Sequence, residues 1–193
     1  MKVAVIKYNA GNIRSVGFAL ERLGIRVEIT DDFELIRNAD KVIFPGVGEA
    51  GTTMNYLKVN GLDVLLKELK QPVLGICLGQ QLMCSASQEG DTKCIGIFDV
   101  PVLRFPPAQK VPHMGWNSLF DLKGDIFREL PQGCHVYFVH SFYVPICGNT
   151  TASCEYIVKF SAALQKDNFF ATQFHPEKSG DIGHTILKNF IDL

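Results

Sequence analysis

The chain has 193 residues, with 19 basic and 20 acidic side chains and a formal charge of −1. One domain, 1–193, is the natural division at this size, and such a chain buries about 70% of its unfolded surface without disulfide or metal staples. The even charge, free of runs of one sign, argues against a dedicated nucleic-acid binder or a polybasic membrane anchor, and a hydrophobic share of 47% is that of an ordinary globule.

The first residues carry only four apolar positions, Val3 to Ile6, between lysines, too few for a signal-peptide core. No segment approaches the roughly 18 apolar residues of a membrane helix, so a cytosolic protein is expected. Lys2 to Ile6 reads as a strand. After the turn-rich YNAGN, Ile13, Val16, Leu20 and Leu23 recur at helical spacing until Gly24 stops them. Two further apolar runs, Ile25 to Ile29 and Lys41 to Phe44, flank a short acidic helical stretch near Glu34, and the second ends in Pro45-Gly46-Val47-Gly48. Leu62, Leu65, Leu66 and Leu69 mark another amphipathic helix. Pro72 to Ile76 is a fourth apolar strand, running into Gly75-Ile76-Cys77-Leu78-Gly79 and a helix through Met83. This alternation implies a mostly parallel sheet covered by helices on both faces.

From Cys94 to Val158 strand-like stretches dominate: Ile95 to Phe105, His135 to Val139 and Cys154 to Val158. They are expected to add antiparallel strands at the sheet edge. Phe169 to Phe174 reads as a late central strand, and Ile182, Ile186, Leu187, Phe190 and Ile191 as the apolar stripe of a closing helix.

The segment GICLG is a G-x-S-x-G elbow with sulfur in place of oxygen. Glycines two positions either side of Cys77 let neighbouring backbone pass a sharp strand-to-helix turn, and the helix N-terminus favours thiolate over thiol. A thiol nucleophile needs a base and a group to orient that base. Phe169 to Phe174 leads into His175-Pro176-Glu177, where an extended backbone puts imidazole and carboxylate on one side. The Pro45 to Gly48 turn follows a strand where open sheets build sites, and its N–H groups can face an oxyanion. Taken singly, a buried small thiol, a solvated strand end and a functionless turn are the plainer readings; all three segments nevertheless sit at carboxyl ends of expected sheet strands. His113, His135, His140 and His184 lack metal-ligand spacing, no CxxC occurs among the six cysteines, and no nucleotide fingerprint is present. No metal or cofactor is expected, and the cysteines other than Cys77 are expected as plain thiols.

Together GICLGQQ, VIFPGVG and FHPEKS resemble the class I, or triad, glutamine amidotransferases. YNAGNIRSV, PHMGWN and YFVHSFY are similar, within that family, to the glutaminase subunits of imidazole glycerol phosphate synthases of histidine biosynthesis. The resemblance implies a flavodoxin-like α/β fold with Cys77 as nucleophile, His175 as base then acid, and Glu177 as its orienting partner. It implies an oxyanion hole from the N–H groups of Val47, after a peptide reorientation, and Leu78. A glutamine pocket falls on Gly48, Gln81, Ser141 and Phe142, the last standing where Tyr is usual. It further implies a heterodimer with a (β/α)8-barrel cyclase subunit, contacted through Asn12, Met114, Trp116, Tyr137, Phe138 and Lys178. An amidotransferase subunit of another pathway, a catalytically silent scaffold and a cysteine hydrolase on the same fold are the alternatives; PHMGWN speaks against the first and the complete triad against the second.

Overall fold

The computed structural model describes residues 1–8 and 13–193. The first half alternates as the sequence implies: β1 (Val3–Ile6), α1 (Ile13–Arg22), β2 (Val27–Thr30), α2 (Phe33–Arg37), β3 (Lys41–Gly46), α3 (Ala50–Val59), α4 (Leu62–Glu68), β4 (Val73–Cys77) and α5 (Leu78–Met83). Helix α3 had no counterpart in the sequence reading, because Gly51, Thr52 and Thr53 dilute its apolar pattern. Its start is held by the Glu49 carboxylate, which accepts from the N–H groups of Gly51 and Thr52 at 2.9 and 2.7 Å.

The second half contributes β5 (Ala86–Ser87), β6 (Thr92–Lys93), β7 (Pro101–Arg104), β8 (His113–Ser118), β9 (His135–His140), β10 (Phe142–Tyr143), β11 (Thr150–Tyr156), β12 (Val158–Lys166), β13 (Phe169–Thr172) and α6 (Gly180–Ile191). The main sheet has the order β11-β12-β13-β4-β3-β1-β2. Its strands from β13 to β2 are parallel, while β12 and β11 pair antiparallel at one edge. Among the described residues, only that hairpin extends the main sheet. Strands β5, β6, β7 and β10 form a small separate sheet, and β8 and β9 a two-stranded ribbon, so the expectation that this whole region joins one edge is corrected.

Two of the expected strands change form. Ile95 to Val100 turns back under α5, with the N–H groups of Ile95 and Ile97 bonded to the carbonyls of Leu82 and Met83, and only Pro101–Arg104 is strand. Apolar residues here serve packing beneath a helix. The stretch Cys154 to Val158 is broken at Ile157, whose positive φ of 62° makes the β11–β12 turn.

The alternation of side chains across the sheet builds two cores. Ala4, Ile6, Val42, Phe44 and Val73 face α3, α4 and α5 through Met54, Leu57, Leu62, Leu66 and Leu82. Val3, Val5, Ile43, Leu74 and Ile76 face α1 and α6 through Val16, Leu20, Ile186, Leu187 and Phe190. Each Val, Leu, Ile, Phe or Met side chain so removed from water contributes about 1.5–3 kcal/mol. Burial on both faces is why β1, β3, β4 and β13 read as unbroken apolar runs. The order of the sheet sets β3, β4 and β13 side by side, with Gly46 opposite Cys77 and Ile76 opposite Thr172. The three segments singled out in the sequence therefore emerge together at one end of the sheet.

Candidate active site

Cys77 ends β4 and begins α5 with φ 55° and ψ −107°, a conformation strained for a side chain bearing a Cβ. Close packing of the elbow explains its glycines. A Cβ on Gly79 would land on the Phe44 carbonyl oxygen, one on Gly46 would lie 2.6 Å from the Gly79 nitrogen, and one on Gly75 would lie 2.7 Å from the Met83 sulfur. The thiol is buried. It donates to the Val139 carbonyl at 3.8 Å and accepts from Gln173 Nε2 at 3.7 Å.

His175 follows β13, and its own N–H donates to the Tyr137 carbonyl at 2.9 Å. Pro176–Lys178 form a 3₁₀ turn that brings Glu177 back on the imidazole. Nδ1 of His175 meets Glu177 Oε1 at 2.8 Å, with both side chains sealed from solvent. Nε2 is buried without a hydrogen bond of regular geometry, and the Cys77 thiol is the acidic neighbour that acts on the ring most strongly. Burial pulls the imidazole pKa down, but contacts and charge from Cys77 and then Glu177 outweigh it and raise it to about 10. A proton on this ring is thus strongly held between sulfur and carboxylate.

A cavity of about 340 Å³ opens beside the sulfur, a volume in the range of small-molecule sites. Cys77 and His175 line it, as do the expected Val47, Gly48, Leu78, Gln81, Ser141 and Phe142. The strand leading to Val47 is steadied by the Tyr8 hydroxyl, which donates to the Pro45 carbonyl. Burial and the nearby Cys77 push that hydroxyl far above its ordinary pKa, so it stays a neutral donor.

A scan of family models matches residues 4–193 to "Glutamine amidotransferase class-I". The chain belongs to the class-I glutamine amidotransferase family. It is 62% identical to imidazole glycerol phosphate synthase subunit HisH of Bacteroides thetaiotaomicron and 44% identical to that of Pectobacterium atrosepticum, over the full length of both partners in each comparison. Among solved structures, one described as a glutamine amidotransferase superposes with a TM-score of 0.75 at 18% identity, covering 98% of this chain and 97% of that one. The glutaminase domain of a Trypanosoma brucei CTPS, with bound acivicin, superposes with a TM-score of 0.67 at 15% identity, covering 100% and 94%. At such identities these two speak for the fold alone.

For this amidotransferase, sequence reasoning missed several groups at the cavity. Glu89 contributes a carboxylate to the cavity lining; its Oε2 accepts from the Ala50 N–H at 2.8 Å, and burial, against that bond, holds the carboxyl above its ordinary pKa. His140 lines the cavity and pairs with His113, Nε2 to Nδ1, at 3.0 Å. Desolvation lowers His140 to about 3 and His113 to about 4, so both rings are neutral. No spacing rule links residues 27 positions apart; only the register of β8 on β9, which sets His113 opposite His140, does so.

The ribbon also sorts the expected contact residues. Met114 and Trp116 share the outward face of β8 and are 62% and 57% exposed, with Tyr137 opposite Trp116. Lys178 is exposed. Phe138 is not available to a partner: it points inward, fully buried against His113, Phe160 and Phe174. Strand alternation puts it opposite in sense to Tyr137, so its assignment to the interface is corrected. Asn12 lies outside the described residues.

The six cysteines are all free thiols, Cys147 half-buried and the others buried. No helix among the described residues is long and apolar enough to cross a membrane.

Proposed function

We propose that this chain hydrolyses L-glutamine to glutamate and ammonia through a thioester on Cys77, and hands the ammonia to the cyclase subunit of an imidazole glycerol phosphate synthase. The buried Cys77, His175 and Glu177 constellation beside a cavity carries the reading, and full-length identity of 62% to a HisH subunit supports the pathway.

Glutamine would enter with its side-chain amide over the sulfur. Its α-ammonium suits Glu89, and its remaining polar groups suit Gln81, Ser141 and the backbone at Phe142. The thiolate attacks the amide carbon, and the oxyanion is held by the N–H groups of Leu78 and Val47. His175 gives its proton to the departing nitrogen, so ammonia leaves and a γ-glutamyl thioester remains. Water, deprotonated by His175, attacks that thioester and expels the thiolate with glutamate. Glu177 keeps the ring oriented and stabilises its charged form throughout.

The exposed Met114 and Trp116 on one ribbon face fit an aromatic anchor for the cyclase barrel, with Tyr137 and Lys178 beside them. Because the ribbon backbone at Tyr137 binds His175 directly, docking there acts on the segment that carries the base. Low glutaminase activity is expected for the isolated chain and a large increase with the cyclase subunit and its nucleotide substrate. The test is ammonia release with and without that subunit, with Cys77→Ala as control; equal rates alone and in complex would refute the coupling, and activity in Cys77→Ala would refute the nucleophile.

A further inference from the structure

We propose that Gln173 is a further catalytic residue, whose side-chain N–H holds the negative charge of the Cys77 sulfur; this rests on the glutaminase reading above. Gln173 lies just beyond β13, fully buried, with its own backbone N–H tied to the Ala162 carbonyl at 2.8 Å. Its Nε2 stands 3.7 Å from Cys77 Sγ, and its Oε1 stands 2.9 Å from Gln81 Nε2.

The orientation of that amide follows from a chain of hydrogen bonds anchored on a group that cannot be turned round. Gln81 Nε2 is 3.1 Å from the Phe142 main-chain carbonyl, which only accepts. The nitrogen of Gln81 must therefore face that carbonyl, and its second N–H points at Gln173. Gln173 must answer with its oxygen, so its NH₂ faces the sulfur. The reversed amide would set two NH₂ groups against each other and an oxygen against the thiolate, both unfavourable. The Phe142 carbonyl is itself held from another side by His140 Nδ1 at 2.7 Å, which stiffens the anchor.

Protonated His175 is the cationic neighbour of the sulfur, and Gln173 supplies a second, uncharged donor. Val139 offers the sulfur a carbonyl, which repels a thiolate, and His175 must carry its proton away to the leaving nitrogen. Free thiolate occurs twice in the cycle, before attack on the amide and when hydrolysis expels sulfur from the thioester. A fixed, water-excluded N–H donor serves both without reorganising.

The test compares the full-length protein with Gln173→Met, which keeps the length of the side chain and removes the donor. Alkylation of Cys77 by iodoacetamide, read by mass spectrometry of the labelled peptide at neutral pH, is expected to slow about 10- to 100-fold, the worth of one hydrogen bond to a charged group. In the complex with the cyclase subunit, kcat is expected to fall by a similar factor while KM for glutamine stays within about threefold. Alkylation and kcat unchanged within about threefold in the folded variant, even with a lowered unfolding temperature, would reduce Gln173 to a packing role and overturn the proposal. A second measurement needs no variant: the Gln173 side-chain amide protons must shift in NMR spectra when Cys77 is alkylated, and silence there overturns it as well. Should the unaltered complex release no ammonia from glutamine, the function reading fails by itself, and the alkylation rates still decide the role of Gln173.

Discussion

Replacing Glu177 with Gln preserves shape and removes one charge, which makes it the sharpest probe of the proposed triad. The carboxylate is sealed from solvent and its Oε1 sits 2.8 Å from His175 Nδ1. Charge centres about 4 Å apart at an effective dielectric of about 20 interact by about 4 kcal/mol. That interaction is realised only when the imidazole is charged, so its loss falls on the steps in which His175 carries the proton. About 4 kcal/mol corresponds to a fall of roughly a thousandfold in kcat. The Gln amide can also present its NH₂ to Nδ1 and impose the wrong tautomer, which acts in the same direction. Glutamate release by the Glu177→Gln chain in complex with the cyclase subunit measures the effect. The His175 ring, followed by NMR, should titrate well below its position in the unaltered protein, where Cys77 and Glu177 hold its pKa raised. A kcat within about threefold of wild type, or an unmoved His175 titration, would show that the carboxylate does not stabilise the imidazolium and would refute the reasoning.

Three further outcomes follow from the geometry. His113 and His140 are neutral in the folded state, with pKa values lowered to about 4 and about 3. The unfolded chain takes up their protons first, so stability is lost as pH falls from about 6.5 towards 3, with His113 alone contributing about 3 kcal/mol. Urea unfolding at stepped pH should give a shallower acid slope in His113→Gln, and an unchanged slope would refute the assignment. Gly79→Ala drives a Cβ into the Phe44 carbonyl, and overpacking of about 1–3 kcal/mol should lower the unfolding temperature by about 2–10 °C in calorimetry; a wild-type midpoint would mean the elbow is looser than it stands. Trp116→Ala, at a 57% exposed position, should leave stability within about 0.5 kcal/mol while weakening cyclase binding by about 2 kcal/mol or more, as read by titration calorimetry. Full affinity in that variant would place the partner elsewhere.

Much of the first half was legible in the sequence because its rules are local. Strands buried on both faces must be continuous apolar runs, and the helices between them must show one apolar stripe, so β1, α1, β3, β4 and α6 stand close to where periodicity sets them. The elbow at Cys77 was readable for the same reason: glycines at 75 and 79 answer a steric demand within a few residues of the turn. His175 and Glu177 lie two apart, and their contact is a local matter too, although the 3₁₀ turn at Pro176–Lys178 makes it rather than the extended chain the sequence suggested. The region from 94 to 158 was misread where apolar content served a ribbon face, a helix underside or a hairpin turn, since apolar residues alone do not say which surface they will meet.

Tertiary structure alone decided the rest. The insertion of β13 beside β4 brings His175 and Gln173 to a sulfur 96 positions before Gln173, and no local pattern encodes which strand becomes a neighbour. The His113–His140 pair, the carboxylate of Glu89 at the cavity and the inward turn of Phe138 arise in the same way, from strand register and loop closure. A side chain's conformational preferences are set by the backbone on either side of it. Its electrostatic surroundings are set by whatever the folded chain delivers from far away, and in this protein chemistry depends on those surroundings.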